Sequence, residues 1–415
     1  MLTLAIIGAG NRGATYAGYA LEHPDQARVT AVAEPRAHHR AVLAALHQAE
    51  HAVADWRELL RRPKVADAVV IAAPDRFHAD MAEGFAAAGY HILLEKPMAT
   101  NEADCRRIVQ AVEDAGVLMA VCHVYRYTAY TQRVVELVQS GVIGEVVNVQ
   151  HFEPVGYWHQ AHSFVRGNWG REDTSSFMLM TKSCHDLDWL QYVIGQPPAQ
   201  VSSFGGLYHF KRSEEPNGAA DRCLDCTVER RCPYSAIKIY LEPVAAGATD
   251  WPYTVLTPEP TIETMEVALR EGPYGRCVYR CDNDVVDHQV VNLQYAGGST
   301  ASFTMTAFNR AGGRKTRIHG TRGDLYVDVR KSDTLIQRFD FMTDTYIDEW
   351  VEDEPDTALK GHHCGDYRMM ERVVDAFTRG DEDAILTGPQ ETLRSHLTVF
   401  AAERARQEGR IVAGF

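Results

Sequence analysis

A chain of 415 residues exceeds one ordinary core and suits two domains of about 100–250 residues each. Its 56 acidic against 42 basic residues leave a formal charge of −14 with no basic run, which argues against nucleic acid as a partner. No apolar span approaches the roughly 20 residues of a membrane helix, the opening MLTLAIIGAG suits a strand better than a signal peptide, and nine cysteines without a secretory signal imply reduced thiols; a soluble, cytoplasmic protein with no membrane partner is expected.

The first predicted strand, Leu2 to Ile7, runs directly into GAGNRG, with Gly8, Gly10 and Gly13 in G-x-G-x-x-G spacing. A helix follows, with Tyr16/Ala20 and Ala17/Leu21 as i,i+4 pairs. In that order Gly8 permits the tight turn, Gly10 admits a pyrophosphate, and Gly13 lets helix and strand pack closely. The helix start at Asn11 and Arg12 offers unpaired N–H groups to phosphate. A second strand, Val29 to Ala33, ends at Glu34, where a carboxylate accepts from a ribose diol and repels a 2′-phosphate. NAD is favoured over NADP, although Arg36 nearby suits that phosphate, and Glu34 also suits a cap on a helix over Pro35 to Ala49.

Strands at Ala68 to Ala73 and Tyr90 to Leu94 alternate with helices at Ala79 to Ala88 and Glu102 to Ala115. This alternation defines a doubly wound parallel sheet, an N-terminal Rossmann dinucleotide-binding domain over residues 1–122. Pro74, His78 and the Glu95-Lys96-Pro97 turn fall at its ligand-binding strand ends.

From about Cys122 the pattern changes. EVVNVQHFE, and a hairpin of Val290 to Tyr295 with Thr300 to Ala307, read as antiparallel strands of a second domain over residues 123–415. The segment 155–173 is dense in aromatic, His, Arg and Asn residues, and suits either a carbohydrate pocket or an interface loop. Its candidate contacts are His162, Arg166 and Trp169. Within an insert near 207–283 that lacks clear periodicity, Cys223, Cys226 and Cys232 in C-x2-C-x5-C spacing suit either a structural zinc or a small satellite core. Cys184, Cys277, Cys281 and His209 are the candidate fourth ligands. In GHHCGDYRMMERVVDAF, Met370, Val373, Val374 and Phe377 share a helical core face, preceded by His362, His363 and Asp366 as candidate contacts.

GAGNRG, the strand ending in Glu34, AAPDRFHADMAEGFAAAGYHILLEKPMA, VIGEV, SCHDLDWL and HGTRGDL together resemble the glucose-fructose oxidoreductase and inositol dehydrogenase family, Gfo/Idh/MocA. The resemblance spans nearly the whole chain. It implies an open, mainly antiparallel second sheet with helices on one face, a carbohydrate or polyol substrate meeting nicotinamide between the domains, and a homo-oligomer, dimer or tetramer.

It also implies that Lys96 projects beside the nicotinamide, its direction set by Pro97, which is often preceded by a cis bond, while Glu95 is the structural partner. A protonated lysine there holds a reacting hydroxyl and stabilises alkoxide character. His185 and Asp188 match the family's His-x-x-Asp, with His185 as general base. Where the family commonly carries an aspartate four residues before that histidine, Thr181 stands with Lys182 beside it; Lys182 is either a second cation in the site or a solvent-facing residue. Arg126 joins Lys182, Asp188, His362 and His363 as a substrate candidate. The implied activity is NAD-dependent oxidation of a sugar or polyol hydroxyl. The alternatives are an NAD-dependent glycosidase that works by transient oxidation and elimination, and a non-catalytic cofactor-bound sensor.

Overall fold

The computed structural model describes residues 1–353 and 357–415. Apolar runs too short for helices, bounded by glycine and polar turns, become the strands β1 (Leu2–Ile7), β2 (Ala27–Ala33), β3 (His51–Val53), β4 (Ala68–Ile71), β5 (His91–Leu94) and β6 (Met119–Val121). They form one parallel sheet in the order β3-β2-β1-β4-β5-β6. The order reverses beside β1, so the crevice for a ligand opens at the carboxyl ends of β1 and β4. Helices Asn11–Glu22, His78–Ala87 and Glu102–Ala115 cover the sheet, and its strands are buried almost throughout.

Two glycines are required by geometry. Gly8 has φ +97°, and a Cβ there would stand 2.5 Å from the Ala72 carbonyl oxygen. At Gly13 a Cβ would stand 1.9 Å from the Gly8 carbonyl oxygen. The helix therefore rests directly on the turn that precedes it.

The second sheet comprises β7 (Val146–Pro154), β8 (Gln200–Gly206), β9 (His288–Gln294), β10 (Thr300–Thr306), β11 (Lys315–Gly320), β12 (Gly323–Val329), β13 (Asp333–Asp340), β14 (Thr345–Glu352) and β15 (Val412–Ala413). Its order is β14-β13-β12-β11-β7-β10-β9-β8-β15. The pairing is antiparallel except between β7 and β10, which run parallel. Period-2 alternation turns Val149, Val201, Val291, Phe303, Ile318 and Leu325 to one face, against the helices Cys184–Ile194 and Pro389–Glu408. The other face exposes Phe204, Tyr346 and Trp350.

The insert is more ordered than its sequence pattern suggests. It contains the helix Ile262–Glu271, whose start is closed by reciprocal bonds between Thr261 and Thr264, and its Phe210, Tyr234, Tyr240, Met265 and Tyr274 form a separate small core. Short helical turns hid this core from a periodicity reading. The predicted core positions Met370, Val373, Val374 and Phe377 are buried on the helix Gly365–Arg379, against the first domain.

Gly13→Ala is expected to destabilise the first domain by about 3 kcal/mol, lowering Tm by roughly 5–10 °C, because a backbone carbonyl cannot yield as a flexible side chain does. Differential scanning calorimetry checks this; an unchanged Tm would contradict the close helix–strand contact.

Candidate active site

At the start of the Asn11–Glu22 helix, Gly10 occupies the cap without a side-chain bond, and the first turn carries no acid. The N–H groups of Asn11, Arg12 and Gly13 therefore present an uncancelled positive end, which fits a pyrophosphate. Glu34 lies beside this loop, buried, with Oε2 accepting from Ala9 N at 2.8 Å and Oε1 accepting from Arg36 N at 2.9 Å and Arg36 Nε at 2.8 Å. Burial opposes its ionisation, but the bonds from Arg36 and Ala9 hold its pKa below the usual carboxylate value. Arg36 thus meets Glu34 directly, and a ribose would bind to a carboxylate that is already braced.

Arg12 turns inward rather than toward phosphate. Its Nε donates to Glu95 Oε1 at 2.6 Å, and its Nη1 donates to Asp366 Oδ2 at 3.1 Å. Tyr16 donates to the same Glu95 oxygen at 2.7 Å. Glu95 is consequently fully engaged as a structural partner at the end of β5.

The turn bearing Lys96 is held from several sides. Lys96 N donates to Glu95 Oε2 at 2.7 Å, Pro97 O lies 3.0 Å from His78 Nδ1, and Met98 N donates to His396 Nε2 at 2.9 Å. The Lys96–Pro97 peptide is cis. His78, assigned to the cofactor from sequence, is instead buried between the Pro97 and Ala73 carbonyls, each 3.0 Å from a ring nitrogen, where it joins the two strand-end turns. Pro74 is exposed at the neighbouring turn.

Thus aimed, Lys96 Nζ donates to the Thr181 carbonyl at 2.7 Å. The residue in the place of the family's aspartate contributes its backbone. Four residues on, His185 is buried, its Nδ1 without a hydrogen-bond partner among the described residues. Burial first, then Lys96, His123, His362 and Arg314, holds its pKa well below the ordinary 6.5. His185 is therefore neutral across the physiological range and able to accept a proton.

Around it stand residues that sequence reasoning passed over. The Tyr125 ring meets His185 edge-on at 5.2 Å and His362 at 5.6 Å, while the His123 ring lies 5.4 Å from His185. Arg314 stacks over Tyr125 at 4.1 Å and pairs with Glu153 at 3.0 Å and Asp186. His159 is kept neutral by burial and by Lys182, His162 and Lys96. The sequence signal for His123 and Tyr125 was the polar run CHVYRY directly after β6, at a ligand-binding strand end; Arg314 carried no local signal.

Several predicted contacts are redirected. Arg126 and Asp188 form a buried two-point ion pair, 2.7 Å at each oxygen. Their charges face each other, so neither is a substrate contact in this arrangement. Lys182 lies 3.3 Å from Glu153, only partly exposed, so it joins the buried Glu153–Arg314 network rather than standing free. In the segment 155–173, Gln160–Arg166 coils into a π-type helix that turns His162 and Arg166 into the insert core. There His162 Nδ1 is 3.0 Å from the Tyr240 hydroxyl, and Arg166 donates to the carbonyls of Arg276 at 2.7 Å and Tyr234 at 2.8 Å. Trp169 remains part-exposed against Phe164. His362 faces the cleft with His185, their rings 6.1 Å apart. His363 turns aside, donating from Nδ1 to Asp353 at 2.8 Å.

The zinc expectation is corrected. Cys223, Cys226 and Cys232 come together with Cys277 around a cavity of about 20 Å³, but the Arg166 guanidinium shares that cavity, with Nη2 3.5 Å from Cys223 Sγ. A buried cation there opposes a second one, and burial raises the Cys232 and Cys277 thiol pKa values. Among the described residues no group of three or more His, Cys, Asp or Glu is placed to hold a metal ion.

With this geometry in place, comparison with known proteins gives the family. Residues 2–123 match the Gfo/Idh/MocA description "oxidoreductase family, NAD-binding Rossmann fold", and residues 135–413 match its "C-terminal alpha/beta domain". The chain belongs to this family. A putative oxidoreductase, YteT, of Bacillus subtilis is 25% identical over 289 residues, covering 67% of this chain and 63% of that protein. The 2,7-anhydro-N-acetylneuraminate hydratase of Escherichia coli is 27% identical over 229 residues, covering 55% and 59%. The chain thus spans about three fifths of these curated relatives. A solved levoglucosan dehydrogenase in complex with NADH superposes with a TM-score of 0.72 at 17% identity, covering 99% of this chain and 98% of that one, which shows the shared fold. Among the described residues no helix is long and apolar enough to cross a membrane.

Asp188→Asn is expected to cost about 3–5 kcal/mol, because it strands the Arg126 charge in the interior; urea denaturation checks this. Acid is expected to destabilise the fold early. Burial pushes His123 and His162 down to about 4 and His396 to about 3. Between those values and about 6.5 the unfolded chain binds the extra protons. Stability is then full above about pH 6.5 and falls as pH drops, with His123 alone accounting for about 3 kcal/mol by pH 4. Denaturation midpoints at pH 7 and pH 5 measure this; equal midpoints would contradict it.

Proposed function

We propose that this protein is an NAD-dependent oxidoreductase that acts on a hydroxyl of a sugar, sugar derivative or cyclic polyol. The observation that carries the reading is the convergence of Lys96 and His185 at the strand ends beside an open glycine-loop helix start. Gly8, Gly10 and Gly13, the N–H groups of Asn11 to Gly13, and Glu34 would hold the dinucleotide. When bound, NAD supplies the hydride acceptor. Glu34 at the ribose position supports NAD over NADP.

Lys96 holds the substrate oxygen and stabilises its developing negative charge. Neutral His185 takes the hydroxyl proton. Tyr125 and Arg314 wall the cleft and exclude water, which strengthens both contacts. The exposed apolar residues Phe204, Tyr346 and Trp350 on the outer face of the second sheet suit association of copies of the chain.

A second reading is favoured by a further histidine of the cleft, His362, and by the similarity to a hydratase of an anhydro sugar. In it, transient oxidation serves elimination or hydration, and the cofactor returns to its starting state. A panel of levoglucosan, inositols and aryl glycosides with NAD, followed for NADH and for released aglycone, separates the two. NADH formation that falls about 10²–10⁴-fold in Lys96→Ala and His185→Ala is the expected result. Aglycone release without NADH would replace it with the second reading.

A further inference from the structure

Of His185 and His362, which face each other across the cleft, the one with a carboxylate behind it is not His185. The acids that follow His185 are both committed elsewhere: Asp186 to Arg314 and His151, and Asp188 to Arg126. Among the described residues, His185 Nδ1 has no hydrogen-bond partner. His362 differs, with Nδ1 3.0 Å from Asp366 Oδ2. Asp366 is buried and held ionised against the penalty of burial by His362 and Arg12. An ionised carboxylate only accepts, so His362 Nδ1 must be the donor, and in the neutral ring the lone pair lies on Nε2.

The backbone supports a dedicated placement. His362, His363 and Cys364 have φ of +53°, +58° and +58° in succession. Three L-residues in the left-handed region are strained, and such strain persists where surroundings over-determine it, commonly at functional sites. Here Asp366 holds His362 and Asp353 holds His363. Arg12 and, through it, Glu95 and Tyr16 hold Asp366. The His362 ring is 6.1 Å from that of His185 and 5.6 Å from that of Tyr125.

We propose that His362, held by Asp366, is a second catalytic base of this cleft, serving the C–H next to the carbon that is oxidised. The proposal rests on the oxidoreductase reading. Each imidazole reaches an atom about 3 Å away, so two rings at this separation serve neighbouring atoms of one substrate. Once the hydroxyl carbon is oxidised to a ketone, with NAD as the oxidant, the adjacent C–H is acidified. His362 Nε2 takes that proton, the N–H bond forms as C–H breaks, and the electron pair passes into the carbonyl, whose oxygen faces Lys96. The imidazolium sits against Asp366, and return of the proton regenerates the ketone. Among the described residues, the titratable and charged groups around His362 include Asp366 with Arg12 behind it, His185, Tyr125 and His363.

The full chain is incubated in D2O with NAD and, separately, levoglucosan and myo-inositol, and both NADH and deuterium in recovered carbohydrate are measured. The wild type is expected to wash deuterium into the carbon beside the oxidised one. In His362→Gln wash-in falls at least about 100-fold and falls further than NADH formation does. Undiminished wash-in, or equal loss of both signals, overturns the assignment. Neither NADH nor deuterium from the wild type overturns the oxidoreductase reading and the proposal with it. Without any carbohydrate, a crystal structure of Asp366→Ala is expected to show the His362 ring displaced from its place beside His185, and an unmoved ring overturns the dyad. NAD affinity of the same variant, measured alongside, reports any effect transmitted through Arg12.

Discussion

The structure depends on one part-buried guanidinium, that of Arg12. Arg12 lies one residue into the nucleotide-binding helix, yet its side chain bonds Glu95 at the end of β5 and Asp366 at the start of the Gly365–Arg379 helix. Three segments far apart in sequence therefore share one charge. Burial penalises that charge, and only the surrounding carboxylates with Tyr16 make it tolerable. The same contacts set the orientation of the lysine turn on one side and of His362 on the other. The glycine loop, the Lys96 turn and His362 are thus mechanically one unit.

A contrast in partnering organises the cleft. Lys96 bonds a backbone carbonyl, Arg126 a carboxylate, and Arg314 two carboxylates. Among the described residues, His185 Nδ1 and both ring nitrogens of His123 are buried without a hydrogen-bond partner. An imidazole surrounded by Lys96, His123, His362 and Arg314 stays neutral, which suits a proton acceptor but gives its protonated form little support. The carboxylate that would support an imidazolium stands behind His362 instead. This asymmetry follows from the sequence around His185, where two aspartates are drawn away by arginines from other segments.

Much of the first domain was legible locally. Gly8, Gly10, Gly13 and Glu34 occupy a strand–turn–helix–strand unit whose backbone demands are met within a short stretch, so motif and geometry coincide. Glu95 and Lys96 were legible for the same reason. His162 and Arg166 were misread because composition cannot say toward which core a helical turn faces, and the insert's own core claimed them. The cysteines clustered as their spacing suggested, but Arg166, 57 residues from Cys223 in sequence, occupies the space a cation would need.

By itself the amino-acid sequence determined the strand–helix alternation of the first domain, the glycine loop, the lysine turn and the histidine helix, because periodicity, glycine positions and strand ends are local properties of the chain. Only the tertiary structure decided which charges neutralise one another. Arg126 with Asp188, Lys182 with Glu153, and Asp366 with Arg12 are pairings across long separations. Each is fixed by burial, since a charge removed from water must meet its partner wherever the fold brings one.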